Sequence, residues 1–194
     1  MNELGGLTES EKQILLRLAR EALTCAVRGE EFPPLDLDQL PPVLRENGAS
    51  FVTLTRHGDL RGCIGTLEAR QPLAEDVREH AAAAALDDYR FPPVSPAELP
   101  EIHIEVSCLT RPQPLEYSSP EDLVNKLRPG VDGVVLRDAY RRATFLPQVW
   151  EHLPEPDEFL DQLCLKMGVQ RNYWRCNPLR VETYQVEEFH EEEN

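Results

Sequence analysis

The chain has 194 residues, enough for one domain, or one domain with a lobe, whose core needs neither disulfide nor metal. Hydrophobic residues make up 41%, and 35 acidic residues against 20 basic ones give a formal net charge of −15. That charge disfavours a general nucleic-acid binder and docking on anionic lipid, and the longest apolar run, 81–86, is too short to span a bilayer.

The prolines delimit windows of regular structure, because proline breaks helices and central strands. In the first window, Thr8 and Glu11 form a capping-box pattern, Leu15, Leu18, Ala22 and Cys25 follow a helical stripe, and Gly29 suits the far end. Cys25 is expected in the core. Phe32 to Pro42 reads as an ordered, proline-rich connector. Phe51 to Thr55 and Leu60 to Leu67 predict a hairpin around His57-Gly58-Asp59. Pro72 opens a second helix that places Leu73, Val77, His80, Ala81 and Ala84 on one face and stops before Phe91-Pro92-Pro93.

The clearest strand is 102–109, with Ile102, Ile104, Val106 and Cys108 on one face and His103, Glu105 and Ser107 on the other. Ser119-Pro120 starts a short helix. Strands at 133–136 and 143–146 join around Asp138 to Arg142, and Pro156 opens a helix ended by Gly168. A last strand is expected over 180–186, then a solvated acidic tail from Glu187 to Asn194. Strands and helices mix without strict alternation, so the fold class is α+β with antiparallel sheets and packed helices.

The five cysteines are odd in number and contain no CxxC pair, and the histidines form no HxH or HExxH pair. A metal site is not expected and no cofactor is indicated. With no basic and apolar leader in residues 1–6, reduced thiols and a cytoplasmic location are expected.

One segment carries chemistry. In Leu60-Arg61-Gly62-Cys63-Ile64-Gly65, two glycines bracket a cysteine within a strand. Glycine inside a strand marks a bulge or a close approach by another group. Strand alternation puts Arg61 beside Cys63, where a guanidinium favours a thiolate and can hold an anion. Read on its residues alone, the segment is either a nucleophilic thiol with an anion site or a small buried cysteine at a tight crossing.

This segment resembles the signature of the AMMECR family, whose prokaryotic members are also called AmmeMemoRadiSam system protein A. Further blocks are similar: Phe51-Val52-Thr53-Leu54, Asp88-Tyr89-Arg90-Phe91-Pro92-Pro93, Ile104-Glu105-Val106-Ser107, Leu146-Pro147-Gln148-Val149, and Phe159-Leu160 with Lys166-Met167-Gly168. The resemblance covers about residues 10–190 as a single domain, with an acidic tail at 191–194. It implies an α+β fold with a larger and a smaller lobe and a cleft between them. It implies no established reaction, and it implies partnership with a Memo-type dioxygenase-like protein and a radical SAM enzyme. Tyr89 and Met167 depart from the family pattern, and His103 lies outside it.

Carried onto this chain, the candidates are Cys63 as nucleophile and Glu105 as the group that moves a proton or orients an arginine. Arg61, Gly62, Gly65, Arg90 and Ser107 would bind the ligand or shape the backbone around it. Glu105 has a plainer alternative as an ion pair with Arg90, Asp88 as a local cap, and Lys166 as a helix-end cation. Two functions stay open: a thiol-dependent enzyme, or a non-catalytic module presenting the same site to a protein or small ligand. Nucleic-acid binding could return only through a local patch at Arg137, Arg141 and Arg142.

Overall fold

In the computed structural model, which describes residues 6–192, the elements follow in chain order. They are α1 (Glu9–Arg28), α2 (Pro42–Arg45), β1 (Asn47–Arg56), β2 (Asp59–Gly65), β3 (Gln71–Pro72), α3 (Leu73–Leu86) and β4 (Ile102–Leu109). After them come β5 (Gln113–Pro114), α4 (Pro120–Lys126), β6 (Gly133–Arg137), β7 (Arg142–Phe145), α5 (Pro156–Lys166), α6 (Tyr173–Cys176), β8 (Arg180–Tyr184) and β9 (Val186–His190). The architecture is α+β with antiparallel pairing, and the chain divides into two compact units. Residues 1–5, part of the leaderless reading, and 193–194, the end of the acidic tail, lie outside the described residues.

The first unit runs to Thr110 and regains the chain from Glu187. Its sheet has the order β2-β1-β4-β9, with β3 on the start of β1. Thr8 caps α1 through a capping box with Glu11, and Gly29 ends it at φ 70°. His57 and Gly58 both take left-handed backbone (φ 53° and 86°), as a tight hairpin turn with the strand twist demands. α1 and α3 cover one face of the sheet, burying Leu15, Leu23, Val77 and Ala81 against Val52, Leu54, Ile104 and Val106. Each such leucine, isoleucine or valine side chain contributes roughly 1.5–3 kcal/mol. Cys25, expected in this core, is only half-buried.

The second unit spans Arg111–Val186, with a sheet ordered β5-β8-β6-β7. Ser119 caps α4 by accepting from the Asp122 N–H, and Gly168 (φ 82°) follows α5. Its core stacks Trp150 on Phe159, with ring centroids 3.7 Å apart, among Leu136, Leu160, Leu163, Trp174 and Val181.

Two expectations at the C-terminus are corrected. The single last strand is two strands, interrupted at Gln185: β8 completes the second unit's sheet and β9 joins β4 in the first. The acidic stretch is correspondingly anchored. Glu187 accepts from the Leu7 N–H at 2.9 Å and pairs with Lys12 at 2.8 Å. Glu191 binds Arg20 and the Ile104 N–H. Among the described residues no helix is long and apolar enough to cross a membrane.

Candidate functional site

The two glycines of the cysteine segment are explained by what approaches them. A Cβ on Gly62 would lie 2.1 Å from the Ala84 carbonyl oxygen of α3, and one on Gly65 would lie 2.4 Å from the Phe51 ring. Between them the register slips at Leu54/Thr55, leaving Arg61 as the extra residue of a bulge. Both devices, the close approach and the bulge, are present.

Since Gly62 faces α3, Cys63 faces the opposite side of the sheet, away from α1 and α3. There it stands directly opposite Thr53, which stands directly opposite Glu105. The thiol, the hydroxyl and the carboxyl therefore form one row across β2, β1 and β4. Gly65, Phe51 and Ser107 form the next row, and Thr55 pairs with His103 on the other side. Cys63, Thr53 and Glu105 are half-buried, and Ser107 is buried. The Thr53 hydroxyl donates to Cys63 Sγ at 3.3 Å.

The backbone of Cys63 is held from the sheet edge. Its N–H donates to Asp88 Oδ2 at 2.8 Å, and its carbonyl accepts from Arg90 Nη2 at 3.3 Å. Asp88 and Arg90 are bound to each other at 2.7 and 2.9 Å. The two polar groups that an edge strand would expose are thus both satisfied. The Cys63–Thr53 pair is left without ladder bonds, the arrangement that brings side chains closest. The Asp88 carboxylate is almost fully buried, and the Arg90 guanidinium holds it far below the usual carboxylate range.

Arg61 is also engaged. Its guanidinium donates to Glu98 at 2.8 Å and to the carbonyls of Pro92 and Pro93 at 2.9 and 3.3 Å. Arg61, with the Ser95 N–H, pulls the Glu98 carboxyl down to about 2. The bulge redirects Arg61 from simple alternation with Cys63 to this staple. The ion pair with Arg90, the plainer alternative for Glu105, is not formed: Arg90 pairs with Asp88, two residues before it. Burial, followed by the charge of Glu188, pushes the Glu105 carboxyl above its ordinary value against a small opposing effect of His190. Lys166 lies in the second unit, where it donates to the Thr144 carbonyl at 2.9 Å beside the Phe145 ring.

Sequence reading missed a buried polar cluster beneath α3. Ser50 Oγ donates to Asp76 Oδ2 at 2.6 Å, and His80 Nδ1 lies 3.2 Å from that oxygen and 3.4 Å from Ser50 Oγ. A catalytic triad sets the imidazole between hydroxyl and carboxylate. Here one nitrogen faces both, and the hydroxyl donates to the carboxylate, so the cluster satisfies its own polar atoms. The legible signal was Asp76 and His80 at i, i+4 on a core-facing helix. Among the described residues no group of His, Cys, Asp and Glu could hold a metal ion.

Residues 6–189 match the family model described as AMMECR1. A protein of Methanothermobacter thermautotrophicus is 41% identical over 96% of this chain and 97% of its own length. One from Thermofilum pendens is 39% identical over 96% and 92%. The crystal structure of an uncharacterised protein from Pyrococcus horikoshii superposes with a TM-score of 0.74 at 34% identity, covering 96% of this chain and 94% of that one. The chain belongs to the AMMECR1 family.

Proposed function

For this member of the AMMECR1 family we propose a thiol-dependent enzyme that reacts on the face of the larger sheet opposite α1 and α3. The observation that carries this reading is the row Cys63–Thr53–Glu105, with both backbone groups of Cys63 held by Asp88 and Arg90. The Cys63 thiol loses its proton to solvent, and the thiolate sulfur bonds to an electrophilic carbon of a small polar substrate as that carbon's bond to its leaving group breaks and Glu105 protonates the departing group. Two strand spacings, about 10 Å, separate the two groups and accommodate such a substrate. The raised Glu105 pKa keeps more of its carboxyl protonated than an ordinary glutamate would. Gly62 and Gly65 keep bulk away from the thiol, and Arg61, Arg90 and Ser107 fix or border its setting. The strongly acidic chain suits a partner with a basic patch, and a Memo-type protein and a radical SAM enzyme are the proposed partners.

The test is competition between cysteines within one folded protein. Cys176 is exposed, Cys63 is half-buried, and Cys108 and Cys164 are buried. Exposure alone makes Cys176 react first with iodoacetamide. An activated thiol makes Cys63 first, with Glu105→Gln changing the pH profile of its rate and not that of Cys176. If Cys63 stays inert until the protein unfolds, the nucleophile is lost as an idea.

A second reading, a non-catalytic binding module, is favoured by one observation: Arg61 and Arg90 are bound to Glu98 and Asp88. Under that reading Cys63→Ser folds and still retains the radical SAM or Memo-type partner in pull-downs.

A further inference from the structure

One row of the second unit's sheet sets like charges side by side. In its sheet Arg137 stands directly opposite Arg142 on β7 and directly opposite Arg180 on β8. Cross-strand partners share a face with Cβ atoms about 5 Å apart, so three arginines stand side by side, and like charges so placed are destabilising. All three are exposed. Among the described residues, neither Arg137 nor Arg180 has an ion pair or side-chain hydrogen bond, although the chain has 35 carboxylates for 20 basic residues.

Arg137 and Arg180 border a cavity of about 500 Å³ completed by Asp138, Ala139, Pro178 and Leu179. Small-molecule sites run from roughly 300 to 1,000 Å³. Asp138 does not cancel the positive charge there. Its carboxylate accepts from the N–H groups of Tyr140 and Arg141 at 2.8 and 2.7 Å and pairs with Arg141 at 3.1 Å. These bonds hold it below the usual carboxylate range. Glu182, on the same face two residues from Arg180, makes no ion pair with either arginine.

We propose that this cavity binds a small phosphorylated ligand, with Arg137 and Arg180 gripping a phosphate or diphosphate and the Pro178-Leu179 and Ala139 surfaces facing its apolar body. Planar guanidinium forks match phosphate oxygens two at a time. Two of them a strand apart suit one compact multivalent anion. A long polyanion is the poorer fit, because the remaining charge of the chain repels it. The site is independent of Cys63, so its fate does not decide the fate of the thiol reading.

The experiment is calorimetric titration of the full-length chain with inorganic pyrophosphate, alongside a single-stranded RNA oligonucleotide. Arg137→Glu places a carboxylate between Arg142 and Arg180, so it is expected to raise Tm while weakening pyrophosphate binding at least tenfold. Arg180→Ala is expected to weaken binding by a similar factor and to fold normally, whereas Arg171→Ala, at an exposed position outside the row, leaves affinity unchanged. Absence of saturable pyrophosphate binding overturns the proposal. So does binding that survives Arg137→Glu, or binding of the RNA alone.

Discussion

The chain treats the arginines near Cys63 and the cross-strand pair Arg137 and Arg180 differently. Arg61 and Arg90 are each answered by a carboxylate and a backbone carbonyl, and their charge is spent on architecture. Arg137 and Arg180 face each other and make no ion pair among the described residues, in a chain with carboxylates in excess. An arginine beside a candidate nucleophile is thus not evidence of anion binding, whereas a costly pair of like charges is. The residues matched to the family signature build a rigid mount for one thiol. Arg137 and Arg180, which make no ion pair among the described residues, lie elsewhere.

The largest expected effect tests how rigid that mount is. Gly62→Ala drives a Cβ into the Ala84 carbonyl, backbone that cannot swing aside, so strand and helix must separate. Overpacking of this kind costs about 3 kcal/mol at its upper end, and a Tm fall of about 6–12 °C is expected. Gly130→Ala, at an exposed glycine (φ 77°) whose added Cβ would meet nothing within 4 Å, meets backbone strain alone, and its loss should be visibly smaller. Equal losses would mean that the α3 contact is not special.

Next comes the clamp on the Cys63 backbone. Asp88→Ala removes the acceptor of the Cys63 N–H and the partner of Arg90, a loss of about 2 kcal/mol for a charge-assisted bond. The Asp88 pKa is lower folded than unfolded, so its contribution is complete above the unfolded value of about 3.9 and disappears as pH falls below it. Urea unfolding from pH 7 to 3 should show a steeper acid decline for the native chain than for Asp88→Ala. Parallel curves would show that the carboxylate stabilises nothing. Hydrogen exchange at the Cys63 amide should quicken in the variant.

What the sequence disclosed follows the range of the interactions. The capping box at Thr8 and Glu11, the alternation in 102–109 and the stops at Gly29 and Gly168 are local, and local chemistry decides them. The close approach at Gly62 was legible because a strand glycine needs a reason. The bulge at Arg61 was not, since its register depends on β1. Nor could spacing show that Asp88 reaches Cys63 across 25 positions, or that 180–190 is shared between two sheets. The cationic row drew attention as Arg137, Arg141 and Arg142. In the structure Arg141 turns to Asp138, and Arg180, some forty residues away in sequence, takes its place.

The smallest effect bears most directly on the chemistry. Burial and Glu188 raise the folded-state pKa of Glu105, so the folded chain holds that proton more tightly than the unfolded chain does. The sign is therefore opposite to that of Asp88: Glu105 costs stability as pH rises from the unfolded value of about 4.3 through the raised folded one. Glu105→Gln removes that cost. It should leave stability near pH 4 almost unchanged and raise it at pH 7, measured by urea unfolding at the two pH values. The same substitution removes the proton donor from the row with Cys63. A chain that becomes slightly more stable while its thiol loses its distinctive pH profile shows a carboxyl kept in place at the expense of the fold. A chain that changes in neither respect shows Glu105 to be an ordinary strand residue, and leaves Cys63 without a partner across the sheet.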